Sequence, residues 1–545
     1  MNASSRWGWL ALILLLWSLG LQSRALTRPD EGRYAEIGRE MAVSGDWVTP
    51  HLNGIPYYEK PPLQYWATAA SIRLLGPTPL ASRLWTALTG LLGIIASAFF
   101  AQRLFGSGAA QRTPWILMGT WYYGALGHIN TLDMGVAVWM FIAVGGFLLA
   151  QQERSRAWMT LAWIAAALGF LSKGLMALAL PGATLVLYTL FTRDTHPWKR
   201  LYFLPGFPLF LLITVPWFWL AYRVHPEFLW FFFVHEQFDR YTTTIHQRVE
   251  PVWYFLPILL AGLLPWTGTA LRALRDALFH PRTRGFSAPR FLAIYAVFIV
   301  FFFSLSGSKL PDYILPAFPV LALLVGRHLS LRPGPMPVSP HYLLALAGLI
   351  LMAGAGLLSF PAIQKTGIHF DLDLDMVEEY RHFALWIGLA GLLCVTGAMW
   401  SRSLRHLPIP SLRILGVTAL AATQLLLLGS NSLAPTQSGA PLVAQIGPSL
   451  RAASHLYSLD TYDQTLDFYL QRTVIPVAYT DEMAFGLSLE PQRAIPTLAA
   501  FKPIWEQDRR AVAIVPPTFL PQLRQNGFPF RVLFQDSHRV IVARS

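Results

Sequence analysis

Thr27-Arg28-Pro29-Asp30-Glu31-Gly32-Arg33-Tyr34, resumed at Tyr57-Tyr58-Glu59-Lys60-Pro61-Pro62, is the stretch on which the reading of this chain turns. It follows directly on the strongly apolar run from Trp7 to Leu26. Charges of both signs at a bilayer edge are costly unless water, partners or a ligand accommodates them. Asp30, Glu31, Arg33, Glu59 and Lys60 can pair with one another and still leave groups for a ligand. A plainer reading, interfacial salt bridges that only shape the loop, stands beside the chemical one.

The composition explains why such a loop matters. The chain has 545 residues, 54% of them hydrophobic and 13% charged, against roughly 25% charged in an average soluble domain. Repeated along the chain, this is the composition of a multi-spanning membrane protein. The net charge of +13 does not signal nucleic acid, because the basic residues recur in short loops between apolar runs instead of forming one patch. Cys394 is the only cysteine, which rules out an internal disulfide and argues against a cysteine-based metal site. No GxGxxG or Walker loop occurs. Arg6 before the first run resembles a signal-peptide n-region, but no small-residue cleavage site follows, so the run is expected to stay as a first helix.

Thirteen apolar runs are expected to span, near 7–26, 80–102, 114–130, 133–150, 157–172, 174–192, 201–221, 252–271, 291–306, 312–328, 341–361, 383–400 and 411–430. Arg103 and Arg112, Arg154 and Arg156, and Arg193 with Lys199 and Arg200 fall in every second loop. The alternation continues through Arg272, Arg275, Arg282, Arg284 and Arg290, then Arg327 and Arg332, then Arg402, Arg405 and Arg413. By the positive-inside rule those loops are cytoplasmic. The remaining loops face outward. They hold the opening motif, Asn130-Thr131-Leu132-Asp133, Ser172-Lys173-Gly174, His225–Glu250, Ser306-Gly307-Ser308-Lys309-Leu310-Pro311-Asp312-Tyr313 and Asp371–Glu379. The chemistry is therefore expected on the outer face.

In residues 27–79, Tyr34, Ile37 and Met41 recur at helical spacing, with Asp30 as the expected N-cap of a helix lying along the membrane surface. Pro61-Pro62 opens a second helix, Leu63 to Leu75. From Asn431 to Ser545 the pattern changes. Short β-like segments (453–458, 474–478, 511–515, 532–534, 540–543) alternate with helical ones such as Gln464–Leu470, the pattern of a small α/β domain. An odd number of spans puts that domain outside.

Paired carboxylates and cations at a membrane surface suit group transfer from an anionic lipid carrier. A carboxylate can take a proton from an acceptor or orient it, and Lys and Arg can hold a phosphate as it leaves. On sequence alone Asp133 reads first as a helix cap, and Lys173 reads as a side chain snorkelling to the interface or as a phosphate ligand. His235, in Phe231-Phe232-Phe233-Val234-His235-Glu236-Gln237-Phe238-Asp239-Arg240-Tyr241, could join Glu59 on a divalent metal.

Pro29-Asp30-Glu31-x-Arg33-Tyr34-Ala35, Gly45-Asp46-Trp47 and Glu59-Lys60-Pro61-Pro62-Leu63-x-Tyr65-Trp66 resemble the GT-C glycosyltransferases related to protein O-mannosyltransferases. Within that class they resemble the aminoarabinose transferase branch that modifies lipid A. The similarity runs on through Asn130-Thr131-Leu132-Asp133-Met134, Ser172-Lys173-Gly174-Leu175, Ser308-Lys309-Leu310-Pro311-x-Tyr313 and Tyr462-Asp463-Gln464-Thr465-Leu466, to Thr480-Asp481-Glu482. It implies an α-helical polytopic membrane domain, 1–430, of about thirteen spans and a periplasmic α/β domain, 431–545, in the bacterial inner membrane. It also implies inverting transfer of a sugar, 4-amino-4-deoxy-L-arabinose, from undecaprenyl phosphate to lipid A. Another polyprenyl-linked sugar and a different envelope acceptor are the alternative, and a lipid or sugar transporter is the reading from another class.

Carried over by position, Asp30 is the essential carboxylate, joined by Asp133. Arg33, Tyr34, Lys60, Lys173 and Arg240 would bind the donor phosphate, with Tyr57 and Tyr313 beside the carrier and Lys309 a further substrate-binding residue. Glu59 and His235 match positions associated with a divalent metal (Zn, Mg or Mn). The chain departs from the family where an aromatic-His-x-x-Arg-Phe pattern is expected, because His235 and Arg240 are spaced differently here. A monomer acting among membrane lipids, with no nucleic-acid partner, completes the expectation.

Overall fold

A computed structural model describes residues 3–239, 250–279, 285–359 and 376–545. Helix occurs in each of the thirteen apolar runs, but not always as one span. Among the described residues, six helices are long and apolar enough to cross a membrane: Pro79–Phe105, Leu132–Glu153, Phe203–Val224, Ser339–Ser359, Val377–Ser403 and Pro408–Gln437. The run at 252–271 is a seventh span only if bent, since Phe255–Gly262 and Thr267–Phe279 meet at 109°. Trp7–Ser18, Met176–Thr192, Ala288–Ser304 and Ala317–Ser330 are shorter apolar helices, below the ~20 residues of a straight crossing.

The run at 114–130 breaks into Thr113–Met118 and Trp121–Leu126. At the break a Cβ on Gly119 would lie 2.5 Å from the Gly416 Cα, so backbone meets backbone there. Thirteen full spans are thus not reached among the described residues. Continuous apolarity does not make a continuous helix.

The helix Leu132–Glu153 runs through the interior, with 94% of its apolar window buried. Its all-round apolarity suits that place, and it presents Asp133 at its first turn. Around it pack α4 (Pro79–Phe105) and Arg156–Lys173.

Above the helices lies a polar layer. α2 runs from Asp30 to Ser44 and ends at Gly45, whose φ of 75° is the left-handed C-cap geometry that glycine tolerates. Asp30 is therefore the first helical residue rather than its N-cap; Pro29 holds the cap position. β1 (His51–Leu52) and β2 (Ile55–Pro56) form a hairpin, turned by Asn53-Gly54 with φ of 57° and 72°. α3 spans Leu63–Leu75.

The face of α2 carrying Tyr34, Ile37 and Met41 packs on Tyr65 and Ala69 of α3 and on Leu442, Tyr462 and Leu466 of the C-terminal part. Protein covers the face that was expected to rest on the membrane.

The C-terminal part holds a five-stranded sheet ordered β4-β3-β5-β7-β6. Its strands are β3 (Leu456–Leu459), β4 (Ile475–Val477), β5 (Val512–Val515), β6 (Arg531–Gln535) and β7 (Val540–Ala543). β3 pairs in parallel with β4 and β5, while β7 runs antiparallel to β5 and β6. Every residue of β3, β5 and β7 is buried, as continuous apolar strands covered on both faces require.

Two glycines let this domain touch the outer loop. A Cβ on Gly32 would lie 2.6 Å from the Gln464 carbonyl oxygen, and one on Gly486 would lie 2.1 Å from that of Pro56. Side chains at either position would push the layers apart.

Candidate active site

Asp30 and Arg33 sit one helical turn apart, so their side chains share a face. Arg33 Nη1 is 2.9 Å from Asp30 Oδ1, and its Nε is 2.5 Å from Glu482 Oε2 of the C-terminal domain. The second contact is an ion pair without hydrogen-bond alignment. Asp30 is the open member, its side chain 35% exposed against 11% for Arg33 and 8% for Glu482. Gln464 Nε2 donates to Glu482 at 2.7 Å. Burial raises the Glu482 carboxyl above its ordinary value, against the pull of Arg33.

The Arg33 guanidinium also lies 5.9 Å from the Tyr34 ring centroid. The hydroxyls of Tyr57 and Tyr65 are buried and, among the described residues, have no hydrogen-bond partner. Burial lifts both well above the ordinary tyrosine value, with the charges of Arg33 and Glu59 acting on each. Such neutral, unsatisfied donors are expensive to bury and suited to receiving a ligand oxygen.

Lys60 Nζ donates to the Glu59 carbonyl at 2.9 Å and to Glu236 Oε2 at 2.5 Å, and lies 3.7 Å from the Glu59 carboxylate. Glu236 is 4% exposed and comes from the π-helical turn Phe231–Asp239. Phe231 stacks on Phe485 of the C-terminal domain at 3.9 Å, and on His235 at 5.2 Å. Among the described residues no three His, Cys, Asp or Glu side chains converge on a position that could hold a metal ion. Glu59 has an ammonium for a neighbour. Glu59 and His235 are the residues that would hold the divalent metal the resemblance implies. Arg240 lies outside the described residues.

Lys173 ends the helix Arg156–Lys173, where the dipole favours a cation. Its ammonium pairs with Asp133 and sits 5.2 Å from the Tyr313 ring centroid. It does not snorkel, being only 12% exposed. Asp133 does not cap its helix either; Thr131 takes that place.

Tyr122 Oη donates to Asp312 Oδ1 at 3.1 Å. Burial first, then the charge of Asp133, pushes the Asp312 carboxyl up to about 7, with Lys173 pulling the other way and Asp30 adding to the rise. Asp30, Asp133, Asp312 and Lys173 thus act within one field. Lys309 Nζ donates to the Ser306 carbonyl of its own loop at 2.7 Å. It braces that loop.

Glu31 holds the frame. It is 1% exposed, and both its oxygens accept from Arg83, Nε and Nη2 each at 2.7 Å. It also accepts from the Asn130 backbone N–H at 3.0 Å and from Thr27 at 3.1 Å. Arg83, fully buried, donates onward to the carbonyls of Leu21, Arg24 and Ala25. Burial opposes ionisation of Glu31, but Arg83 outweighs it and brings the carboxyl down to about 2. One carboxylate therefore ties the opening motif to the Asn130–Asp133 turn. Glu31 does far more than start an interfacial helix.

Sequence reasoning missed Glu236, Asp312, Glu482 and Arg83 as members of this assembly. Glu482 and Asp312 lay within motifs already quoted, so a search for opposite charges among those motifs could have paired them.

A helical membrane domain lies under a mixed α/β cap, with cations, carboxylates and unsatisfied tyrosines between them, an arrangement suited to an anionic lipid-linked ligand. Residues 59–220 match the family model for dolichyl-phosphate-mannose-protein mannosyltransferase, and residues 442–544 match that for the aminoarabinose transferase C-terminal domain. An undecaprenyl phosphate-α-4-amino-4-deoxy-L-arabinose arabinosyl transferase of Erwinia tasmaniensis is 33% identical over 75% of this chain and 74% of its own length. One from Pseudomonas aeruginosa is 30% identical over 92% and 91%.

The crystal structure of ArnT from Cupriavidus metallidurans bound to undecaprenyl phosphate superposes with a TM-score of 0.90 at 34% identity, covering 100% of this chain and 98% of that one. Its apo state gives 0.88 at 33% identity. This chain belongs to the undecaprenyl phosphate-aminoarabinose arabinosyl transferase family.

Proposed function

We propose that this protein transfers 4-amino-4-deoxy-L-arabinose from undecaprenyl phosphate to lipid A at the periplasmic face of the bacterial inner membrane, as a monomer with its C-terminal domain on that side. The observation that carries the reading is a set of three little-exposed cations on the outer loops, Arg33, Lys60 and Lys173, each already held by a carboxylate, with the unsatisfied hydroxyls of Tyr57 and Tyr65 in the field of Arg33. Arginine-rich alternate loops support the orientation.

A phosphate of lipid A is already ionised and needs no general base. Its oxygen forms the new bond to the sugar C1 while the C1–O bond to undecaprenyl phosphate breaks, and that phosphate leaves with the electron pair. Arg33, Lys60 and Lys173 stabilise the leaving charge. On donor binding, phosphate oxygens replace carboxylates around these cations, so little new desolvation is required. Tyr34, Tyr57 and Tyr313 flank the carrier, and Asp133 orients Lys173. Asp30, the exposed carboxylate, positions the sugar or balances its ammonium. Arg240 and Lys309 complete the expected substrate-binding set.

The test is transfer by full-length protein purified in detergent, where no sealed membrane exists and transport has no meaning. Wild type should transfer sugar from undecaprenyl-phosphate aminoarabinose to lipid A unaided. Lys60→Ala and Lys173→Ala should each lower transfer about ten- to a hundred-fold, the loss of one charge-assisted contact, and the double variant should be non-additive. Full transfer by both single variants would overturn the phosphate site. Inactive wild type with a folded profile would reopen the transporter and other-sugar readings.

A further inference from the structure

The helix Ala317–Ser330 begins beside Tyr313 and runs 14 residues away from the site, about 20 Å along its axis. Its far end and that of Thr267–Phe279 enclose a cavity of 550 Å³, lined among others by Arg275, Asp276, Phe279, Arg327, Leu331 and Arg332. Three guanidiniums face one carboxylate there, leaving two positive charges. Asp276 is shared: Arg332 Nη2 lies 2.6 Å, His328 Nδ1 3.0 Å and Arg275 Nη2 3.7 Å from it. The Arg327 guanidinium rests 5.7 Å from the Phe105 ring centroid, and among the described residues no carboxylate pairs with it. Phe279 and Leu331, on the same cavity, are 80% and 61% exposed. Apolar side chains opened to the surroundings beside an excess of positive charge are the two halves of an amphiphile site.

We propose that this cavity binds the headgroup of an anionic phospholipid of the leaflet opposite the transfer site. Arg275, Arg327 and Arg332 take the phosphodiester, and Phe279 and Leu331 lie against the acyl chains. Basic pockets between membrane helices bind such headgroups. A free anion would gain nothing from Phe279 and Leu331, and a zwitterionic lipid would leave the two positive charges uncompensated.

The experiment is native mass spectrometry of the full chain with phosphatidylglycerol and phosphatidylethanolamine in equal amounts. Wild type should retain phosphatidylglycerol preferentially, and Arg275→Gln/Arg327→Gln should lower that preference about tenfold. Arg275 is 71% exposed, so Arg275→Gln alone keeps the fold and must lower the preference too, by less. Asp276→Asn, which removes the competing carboxylate, should raise it. No preference in wild type, an unchanged preference in the arginine variants, or its abolition by millimolar inorganic phosphate would each overturn the proposal.

Discussion

Asp30→Asn should abolish transfer, by at least about a hundred-fold, while the protein keeps its size-exclusion profile and thermal stability in detergent. Asn preserves the size of the side chain and one acceptor oxygen for Arg33, so the first turn of α2 loses little. What it removes is the negative charge of the carboxylate most open to a ligand in the cluster, at 35% exposure. A preorganised electrostatic group at a reacting centre typically contributes about 10²–10³-fold. Arg33 keeps Glu482 as a second anionic partner at 2.5 Å, so the guanidinium does not become an unpaired buried charge. Folded protein with near wild-type transfer would remove Asp30 from the mechanism.

Glu31→Gln should have the opposite signature, a loss of folded protein before any loss specific to transfer. The substitution leaves Arg83, fully buried, facing an amide where a carboxylate had accepted two bonds at 2.7 Å. Removing one partner of a buried ion pair typically costs about 3–5 kcal/mol, a large fraction of the stability of one domain. The pH dependence follows from a carboxyl lowered from 4.5 to about 2. Its stabilising contribution is fully present above about 4.5 and is lost as pH falls toward 2. Melting temperatures in detergent should therefore separate wild type from Glu31→Gln at pH 7 and converge on acidification. Equal melting at pH 7 would mean that the pair holds nothing together.

Local order was legible in the sequence, and distant pairing was not. The Asp30–Arg33 pair follows from spacing along one helix. The strands of the C-terminal sheet follow from short apolar segments between turn residues, which is why Val540 to Ala543 reads as β7. Asp30 was misplaced by a single position because Pro29 can itself hold a helix cap. The partners Glu482, Glu236, Asp312 and Arg83 come from elsewhere in the chain, and nothing local marks a charge whose counterpart lies tens or hundreds of residues away. The metal expectation came from residue type and from the positions the resemblance carries over, neither of which shows that Lys60 lies beside Glu59. Apolar runs fixed where helices lie but not whether each one crosses, because breaks such as Gly119 are set by the close approach of Gly416.

The transferred group is seen most directly in the lipid A of cells with and without this protein, analysed by mass spectrometry. Cells that carry it and make the undecaprenyl-phosphate donor should show lipid A with aminopentose on a phosphate, and cells that lack it, or carry Asp30→Asn, should show none. Unchanged lipid A in donor-replete cells carrying folded wild-type protein, or a different sugar on another envelope glycan, would contradict the account.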